Sequence, residues 1–482
     1  MVEGKYSQHI YDVLIVGAGP VGLATAIALR KRGINNLLVI DQTRSFRRVG
    51  QTIDLLPNGL KALRYVDEQA YQAVKQTGLG FNQARRQNSE GKNPQTSQKR
   101  FWYHKNLQGQ ITREIPLDFD VWFERYEEGR VSIPWFDLQT SLRNLLPSEI
   151  VRANHRCIDI TEKDDLLEVD CVTNNDESLS NPFAHWEPPK IDSKETQSPE
   201  KSTTTNTIAQ KLQAKLVVAA DGINSTIRQK IYSNSELAQW AKPQYSGFSA
   251  IGCLQIENVS QTIIQELETK YFQGDKVVTL YSDDRDSPSN NTERPRIILI
   301  RRSQNALGYL LHAPLDLDLL QKKSSEEIIN LAANILNKSG FSDVFVQVIN
   351  LSNPEILIRR PYYIHPANIS LEQTIWSKGR LVLAGDAAHG MPPFAAQGAN
   401  QGLEDAAVMG RTIANIINNN ALDNQEIIDH YFSQYEQLRR PFMAMIQEAT
   451  LDNHNWPQEK WENYGDMVYS RNITDLIDDF IF

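Results

Sequence analysis

Cysteine is scarce in this sequence: Cys157, Cys171 and Cys253 are the only three in 482 residues, and none stands in a CxxC pair. A disulfide framework and a cysteine-ligated zinc site are thereby excluded, and the thiols read as small buried apolar side chains. Positive charge is not in excess either. Fifty Lys and Arg face 59 Asp and Glu, a formal charge of −9, the reverse of what binding a phosphate backbone requires, so nucleic acid is not an expected partner. No apolar run approaches the ~18 residues of a membrane-spanning helix. The first ten residues carry Glu3, Lys5 and His9 and lack the apolar centre of an export signal. The expectation is a cytoplasmic chain without a transmembrane segment. At 40% hydrophobic residues the composition still supports a large core, and the length allows two or three domains.

Tyr11–Val16 is a short β-branched apolar run, Val21–Arg32 follows with helical spacing and Gly33 as its stop, and 35–41 reads as a second strand. Strand, glycine turn, helix, strand within ~30 residues is the βαβ unit of a parallel sheet. The turn, Gly17-Ala18-Gly19-Pro20-Val21-Gly22, is a complete GxGxxG. Gly17 permits a tight turn, Gly19 lets backbone approach a pyrophosphate, and Gly22 lets helix and strand pack closely. The pyrophosphate then meets the positive end of a helix. Asp41, closing the second strand, suits ribose hydroxyls and would repel a 2′-phosphate, which points to FAD or NAD and away from NADP.

Two further turns follow buried-strand patterns. KLVVAA (215–220) runs into Asp221-Gly222 and on through Ser225 to Arg228, and GRLVLA (379–384) runs into Gly385-Asp386-Ala387-Ala388-His389, then Pro392-Pro393 and Ala396-Gln397-Gly398-Ala399-Asn400 before a helix. With GAGPVG, these strings closely resemble the three signatures of the single-component FAD-dependent aromatic-ring monooxygenases of the para-hydroxybenzoate hydroxylase type, salicylate hydroxylase and zeaxanthin epoxidase relatives included. The likeness spans roughly residues 10–445. It implies non-covalent FAD, with the ADP half on Gly17, Ala18, Gly19, Gly22 and Asp41. Asp221, Gly222 and Arg228 would be shared between FAD and a transient NAD(P)H. Gly385 and Asp386 would meet the ribityl chain, and Gln397, Gly398, Ala399 and Asn400 the isoalloxazine. Pro393 would be the ring-facing residue. Arg228 has a second reading, tying its helix to the sheet, and His389 is read as shaping its loop. Where the family carries an arginine contacting FAD, this chain has Trp135; Trp135 stacking on the cofactor, Arg47 or Arg48 are the candidate replacements. Ala396-Gln397-Gly398 stands for the family's GQG.

The resemblance also implies the chemistry: NAD(P)H reduces FAD, and a flavin C4a-hydroperoxide transfers one oxygen from O2 to an aromatic or isoprenoid-like small molecule. A halogenase or reductase on the same scaffold, and a non-catalytic flavin-binding sensor, are the alternatives; the halogenase WxWxIP string is absent. The expected fold is α/β. A Rossmann-like FAD-binding domain takes residues 10–85, 130–235 and 370–420, with a disordered insert at 173–210. An antiparallel-sheet substrate-binding domain takes 86–129 and 240–369, and a C-terminal helical region takes 421–482. Substrate contacts are expected from the sheet over 247–314 and from Trp102, Tyr103, Trp122, Phe123 and Tyr126, with Arg113, Arg125 and Arg130 as candidate anchors for an acidic group. The polar stretches 85–100 and 282–295 read as loop tips.

Overall fold

The computed structural model describes residues 9–43, 45–46, 48, 50–87, 100–163, 165–174, 207–233, 235–282, 294–369, 374–452 and 456–480. Ile10–Val16 is apolar toward both faces, as a central parallel strand must be, and Val13, Leu14 and Ile15 are fully buried. It pairs in parallel with Leu37–Ile40 on one side and Thr207–Ala219 on the other. Leu381–Leu383 adds in parallel beyond Thr207–Ala219, and Val151–Arg152 beyond Leu37–Ile40. Register then decides where the chemistry sits. Val16 stands beside Ala219, and Ala219 beside Leu383, so the three signature turns leave the sheet from neighbouring strand ends. Crevices at the carboxyl ends of parallel strands are where α/β sheets bind ligands.

Arg156–Lys163 and Leu166–Asn174 extend this sheet as an antiparallel meander onto Thr207–Ala219. The last pair is Asn174 with Thr207, which puts the low-complexity insert at a hairpin tip; its residues 175–206 lie outside the described structure. The helices Pro20–Lys31 and Gly398–Asn418 pack closely: a Cβ on Gly410 would lie 2.5 Å from the Ala28 methyl. The C-terminal helices Gln425–Asp452, Gln458–Tyr469 and Ile473–Phe480 return to the same core through Phe432, Tyr464 and Ile477.

The second sheet has seven strands in the order Ile358–Ile364, Gln244–Ile256, Ala306–Pro314, Arg296–Ser303, Val277–Tyr281, Phe101–Lys105, Ile111–Pro116. Its pairs are antiparallel except that of Val277–Tyr281 with Phe101–Lys105. Side chains alternate across it. Ile251, Leu280, Ile297, Leu299 and Leu311 close a second core with the helices Ser325–Lys338 and Asp343–Asn350. The opposite face carries polar and aromatic groups instead: His312 stands beside Arg296, Arg296 beside Tyr281, and Thr279 beside His104, itself beside Arg113. One expectation is corrected here. The polar stretch from Arg85 does not begin as a loop, because the helix Glu68–Gln87 takes in its first three residues; residues 88–99 and 283–293 are outside the described set.

Candidate active site

Gly17 has φ +110°, a conformation that excludes ordinary side chains, and a Cβ there would fall 2.2 Å from the Ala220 carbonyl oxygen. The first turn is thus pressed against the second. Gly22 touches the first turn from the helix side, its missing Cβ 1.9 Å from the Gly17 carbonyl oxygen. Gly19 differs: nothing lies within 4 Å of where its Cβ would be, and it caps the helix Pro20–Lys31 with proline in the first turn. Between Gly17 and Gly22 the chain is packed; at Gly19 it opens onto the crevice. Ala18 is pinned on both sides, its N–H donating to Asp41 Oδ2 at 2.7 Å and its carbonyl accepting from Gln139 Nε2 at 2.7 Å. Asp41 therefore shapes the glycine turn, with its Oδ1 also accepting from the Thr43 N–H at 2.7 Å. Gln139 is buried and was not singled out from sequence; its place in the segment beginning at Trp135 was the available signal.

In the second turn, Gly222 is left-handed at φ +80° and Asp221 Oδ2 accepts from the Thr226 N–H at 2.9 Å. Asp221 Oδ1 is buried without a hydrogen-bond partner. Burial pushes this carboxyl up to about 6 against the hydrogen bonds from Ser225 and Thr226. Arg228 makes the contacts of its second reading, a tie between its helix and the sheet. It is fully buried, and its guanidinium donates to the carbonyls of Ala387 and Ala388, both at 3.0 Å, and of Trp240 at 3.1 Å. These bonds tie the second turn to the third, while Arg228 Nη2 is buried without a hydrogen-bond partner.

In the third turn, Gly385 (φ +59°) lies against Val21 of the first helix, which also fills the space beside Gly402. Asp386 is exposed to solvent, and its Oδ1 lies 3.9 Å from where a Gly398 Cβ would be. Protein crowding on its other sides raises the carboxyl above its ordinary range. Pro393 is exposed while Pro392 is buried. Gly398, Ala399 and Asn400 form the first turn of the helix Gly398–Asn418, where N–H groups have no partner within the helix. The side chains of Asn400 and of the capping Gln397 serve elsewhere: Asn400 Oδ1 accepts from the Leu56 N–H at 2.9 Å, and Gln397 Oε1 accepts from Asn58 at 3.1 Å. Ala396, in place of the family glycine, sits in the left-handed region at φ 53°, ψ 31°. Ala396→Gly is expected to raise stability by about 0.5–1 kcal/mol, strain relief exceeding the entropy of glycine, measured as a higher denaturation midpoint.

Behind this turn is a buried ionic network absent from the sequence reading. Asp405 Oδ2 accepts from the Gly385 N–H at 2.8 Å and meets His389 Nε2 at 2.5 Å, and its Oδ1 accepts from Arg439 Nε at 2.8 Å. Arg439 also donates to Glu404 at 2.5 Å, and Glu404 Oε1 accepts from Asn58 at 2.9 Å. Burial alone would raise the Asp405 carboxyl, but His389 and the Arg439 guanidinium outweigh it and hold the group down to about 2. The signal was two adjacent acids, Glu404 and Asp405, inside the apolar stretch from Leu403 to Met409. His389 is a loop-holding residue in this arrangement.

Trp135 opens the helix Trp135–Arg143, its N–H donating to the Gln51 carbonyl at 3.0 Å. Its Cβ would be 2.9 Å from one placed on Gly50. Arg48 is 78% exposed and 3.4 Å from Asp137, and Arg47 lies outside the described residues. Of the expected aromatic pocket residues, Trp102 donates through Nε1 to Thr279 at 2.9 Å on the polar face of the second sheet. Trp122 and Tyr126 instead pack against Tyr469.

A family model described as FAD binding domain matches residues 10–79 and 367–449, the segments that carry the first and third turns. The 6-hydroxynicotinate 3-monooxygenase of Pseudomonas fluorescens is 25% identical over 447 residues, covering 92% of this chain and 90% of that one. A salicylate hydroxylase substrate complex superposes with a TM-score of 0.59 at 15% identity, covering 98% of each chain. Klebsiella pneumoniae HpxO complexed with FAD and uric acid gives 0.56 at 17% identity, covering 99% and 97%. The fold and its three joined turns define a flavoprotein of the para-hydroxybenzoate hydroxylase type. Over nearly its whole length the chain is similar to single-component FAD-dependent monooxygenases, and its first and third turns lie in the matched FAD binding domain. Its crevice fits FAD: an open glycine cradle at a helix N-terminus, an unpartnered Asp221 oxygen, and a solvent-facing Asp386 all line it.

Proposed function

We propose that the protein is an NAD(P)H-consuming, FAD-dependent monooxygenase that inserts one oxygen atom of O2 into a small aromatic or unsaturated substrate. One observation carries the reading: Gly17, Ala220–Asp221, Gly385 and Gly398 meet at one crevice, joined through Val21, Asp386 and the carbonyls that Arg228 holds. FAD supplies the redox chemistry, accepting hydride from the nicotinamide and readying dioxygen. The chain binds and orients it. The Gly17–Gly22 turn and its helix N-terminus hold the ADP half, Asp386 holds the ribityl hydroxyls, and the free N–H groups at Gly398–Asn400 favour negative charge on the reduced ring. Pro393 presents a donor-free backbone beside that ring. The substrate would sit between this turn and the polar face of the second sheet, where Phe394 packs on Phe248, His312 and Tyr362 at 5.3–5.5 Å between ring centroids and water would be excluded.

The sequence holds no second strand-GxGxxG-helix unit, so the nicotinamide is a transient visitor. The proposed domain division follows the two cores, with residues 240–369 supplying most of the chamber wall. No helix among the described residues is long and apolar enough to cross a membrane; a cytoplasmic setting is supported by three free, buried cysteines. Stopped-flow absorbance tests the function. Bleaching near ~450 nm by NAD(P)H, faster with a ring substrate and followed by an oxygenated product, is the expected result. A bound flavin that no nicotinamide reduces across an aromatic panel would favour a sensor, and reduction without oxygenated product a reductase.

A further inference from the structure

The match to the FAD binding domain ends at residue 449, and the helices Gln458–Tyr469 and Ile473–Phe480 lie beyond it. They are nevertheless built into the first core through Tyr464, Val468, Ile473 and Ile477, and Lys61 Nζ donates to the Tyr469 carbonyl at 3.0 Å. Arg471, at the corner between the two helices, is turned inward. Its side chain is 15% exposed, and its guanidinium carbon stands 3.4 Å from the centre of the Phe442 ring. Arg471 Nη1 lies 3.5 Å from Glu404 Oε2.

That contact adds a second guanidinium to the ionic network behind the third turn. Arg439 serves both Glu404 and Asp405, so without Arg471 two buried carboxylates would share one arginine. Arg471 Nη1 has no hydrogen-bond partner, which means that it acts on Glu404 through charge and not through a directed bond. Burial draws the guanidinium down to about 10 against the pull of Glu404, so it is still a cation at neutral pH. Glu404 in turn stands close to the ring end of the crevice. Asn58 Nδ2 donates to Glu404 Oε1 at 2.9 Å and to Gln397 Oε1 at 3.1 Å, and Gln401 Nε2 bridges the same two residues at 3.3 and 2.9 Å. A single donor thus separates Glu404 from Gln397, which caps the helix Gly398–Asn418.

We propose that Arg471 tunes the reduction of the flavin: by neutralising Glu404 it keeps a negative charge from bearing on the ring end of the crevice. The proposal rests on the monooxygenase reading for the presence of FAD. Two electrons and one proton turn the oxidised flavin into its anionic reduced form, a gain of one negative charge, and the nicotinamide supplies them as hydride. A second uncompensated negative charge nearby opposes that gain. Buried charges are only weakly screened by salt, and a unit charge acting over roughly 10 Å at an effective dielectric constant of about 20 changes an equilibrium about tenfold. Arg471 touches no cofactor in this account. It is a positioning residue, acting through Glu404.

The test is the reduction potential of the FAD-loaded protein, measured without oxygen by equilibration against a reference dye. The variants are Arg471→Met, Arg471→Lys, Glu404→Gln and the double variant Arg471→Met with Glu404→Gln. Arg471→Met is expected to disfavour reduction about tenfold, a potential ~30 mV more negative for a two-electron couple. Arg471→Lys should stay close to the parent. Glu404→Gln should shift the potential by a similar amount in the opposite direction, and the double variant should return to within about twofold of the parent, because its net charge is the same. Lost packing alone would not reverse sign or cancel in this way. Should Arg471→Met fail to fold, Arg471→Gln carries the same comparison. Potentials that move in the same direction in the Arg471 and Glu404 variants, or an Arg471→Met potential equal to that of the parent, would overturn the proposal. A parent that binds no flavin would sink the monooxygenase reading and this proposal with it, an outcome distinct from bound flavin at an unchanged potential.

Discussion

Replacing Asp405 by alanine is expected to cost about 3–5 kcal/mol of stability and to release the flavin, because it strands a buried cation. Arg439 is fully buried and would keep only Glu404 as a charged partner, while the Gly385 N–H and His389 would lose theirs. The flavin effect follows from Gly385: the N–H that Asp405 fixes belongs to the residue beside Asp386. A denaturant melt and the ratio of flavin to protein absorbance measure the two losses. The same group sets an acid limit. A carboxyl held at about 2 in the folded chain, against roughly 4 when unfolded, contributes stability that is complete above the unfolded value. That contribution disappears as pH falls toward 2. Stability should therefore drop more steeply between pH ~5 and ~2.5 in the parent than in Asp405→Asn, which has no such carboxylate to protonate.

The glycine turn yields the second large effect, as a contrast between two positions in one signature. Gly22→Ala places a methyl 1.9 Å from a backbone oxygen that cannot move without parting the helix from its strand. Gly17→Ala adds left-handed strain to a 2.2 Å collision. Both are expected to unfold the first core or lower its stability by more than about 3 kcal/mol, beyond the usual range for single substitutions. A Cβ on Gly19 meets nothing within 4 Å, which leaves room for the Gly19→Val side chain. The variant should therefore fold as the parent does, with its melt within about 1 kcal/mol, while its side chain projects into the space for the pyrophosphate and weakens FAD binding at least about a hundredfold. Thermal melts and FAD titration separate the two classes.

The same contrast shows what was legible in the sequence. Short-range patterns were: the first βαβ unit, the apolar strand before each signature turn, and the strand Ala306–Pro314 are written in consecutive residues. The register that sets Val16, Ala219 and Leu383 side by side follows once those strands join one parallel sheet. Partnerships across long chain separations were not. Asp405 and Arg439 are 34 residues apart on different helices, and nothing local announces that each neutralises the other. Arg228 had two readings in the sequence, and only the third turn lying against it shows that its Nη1 is given to the carbonyls there. Arg296 opens an apolar strand as an unremarkable charge. Only the pairing of Arg296 with His312 and Tyr281 shows that it shares a polar face. The helix Glu68–Gln87 outran its apolar pattern because tertiary packing earlier in the helix, through Ala70, Tyr71 and Val74, carries the polar end along.

The central claim is that three turns from distant parts of the chain form a single flavin site, and FAD stoichiometry measured side by side on the parent and Gly19→Val tests it most directly. The parent should be yellow with one FAD per chain, and the variant equally folded and colourless. A parent that stays colourless after reconstitution, or a Gly19→Val protein that retains its FAD with unchanged affinity, would contradict it.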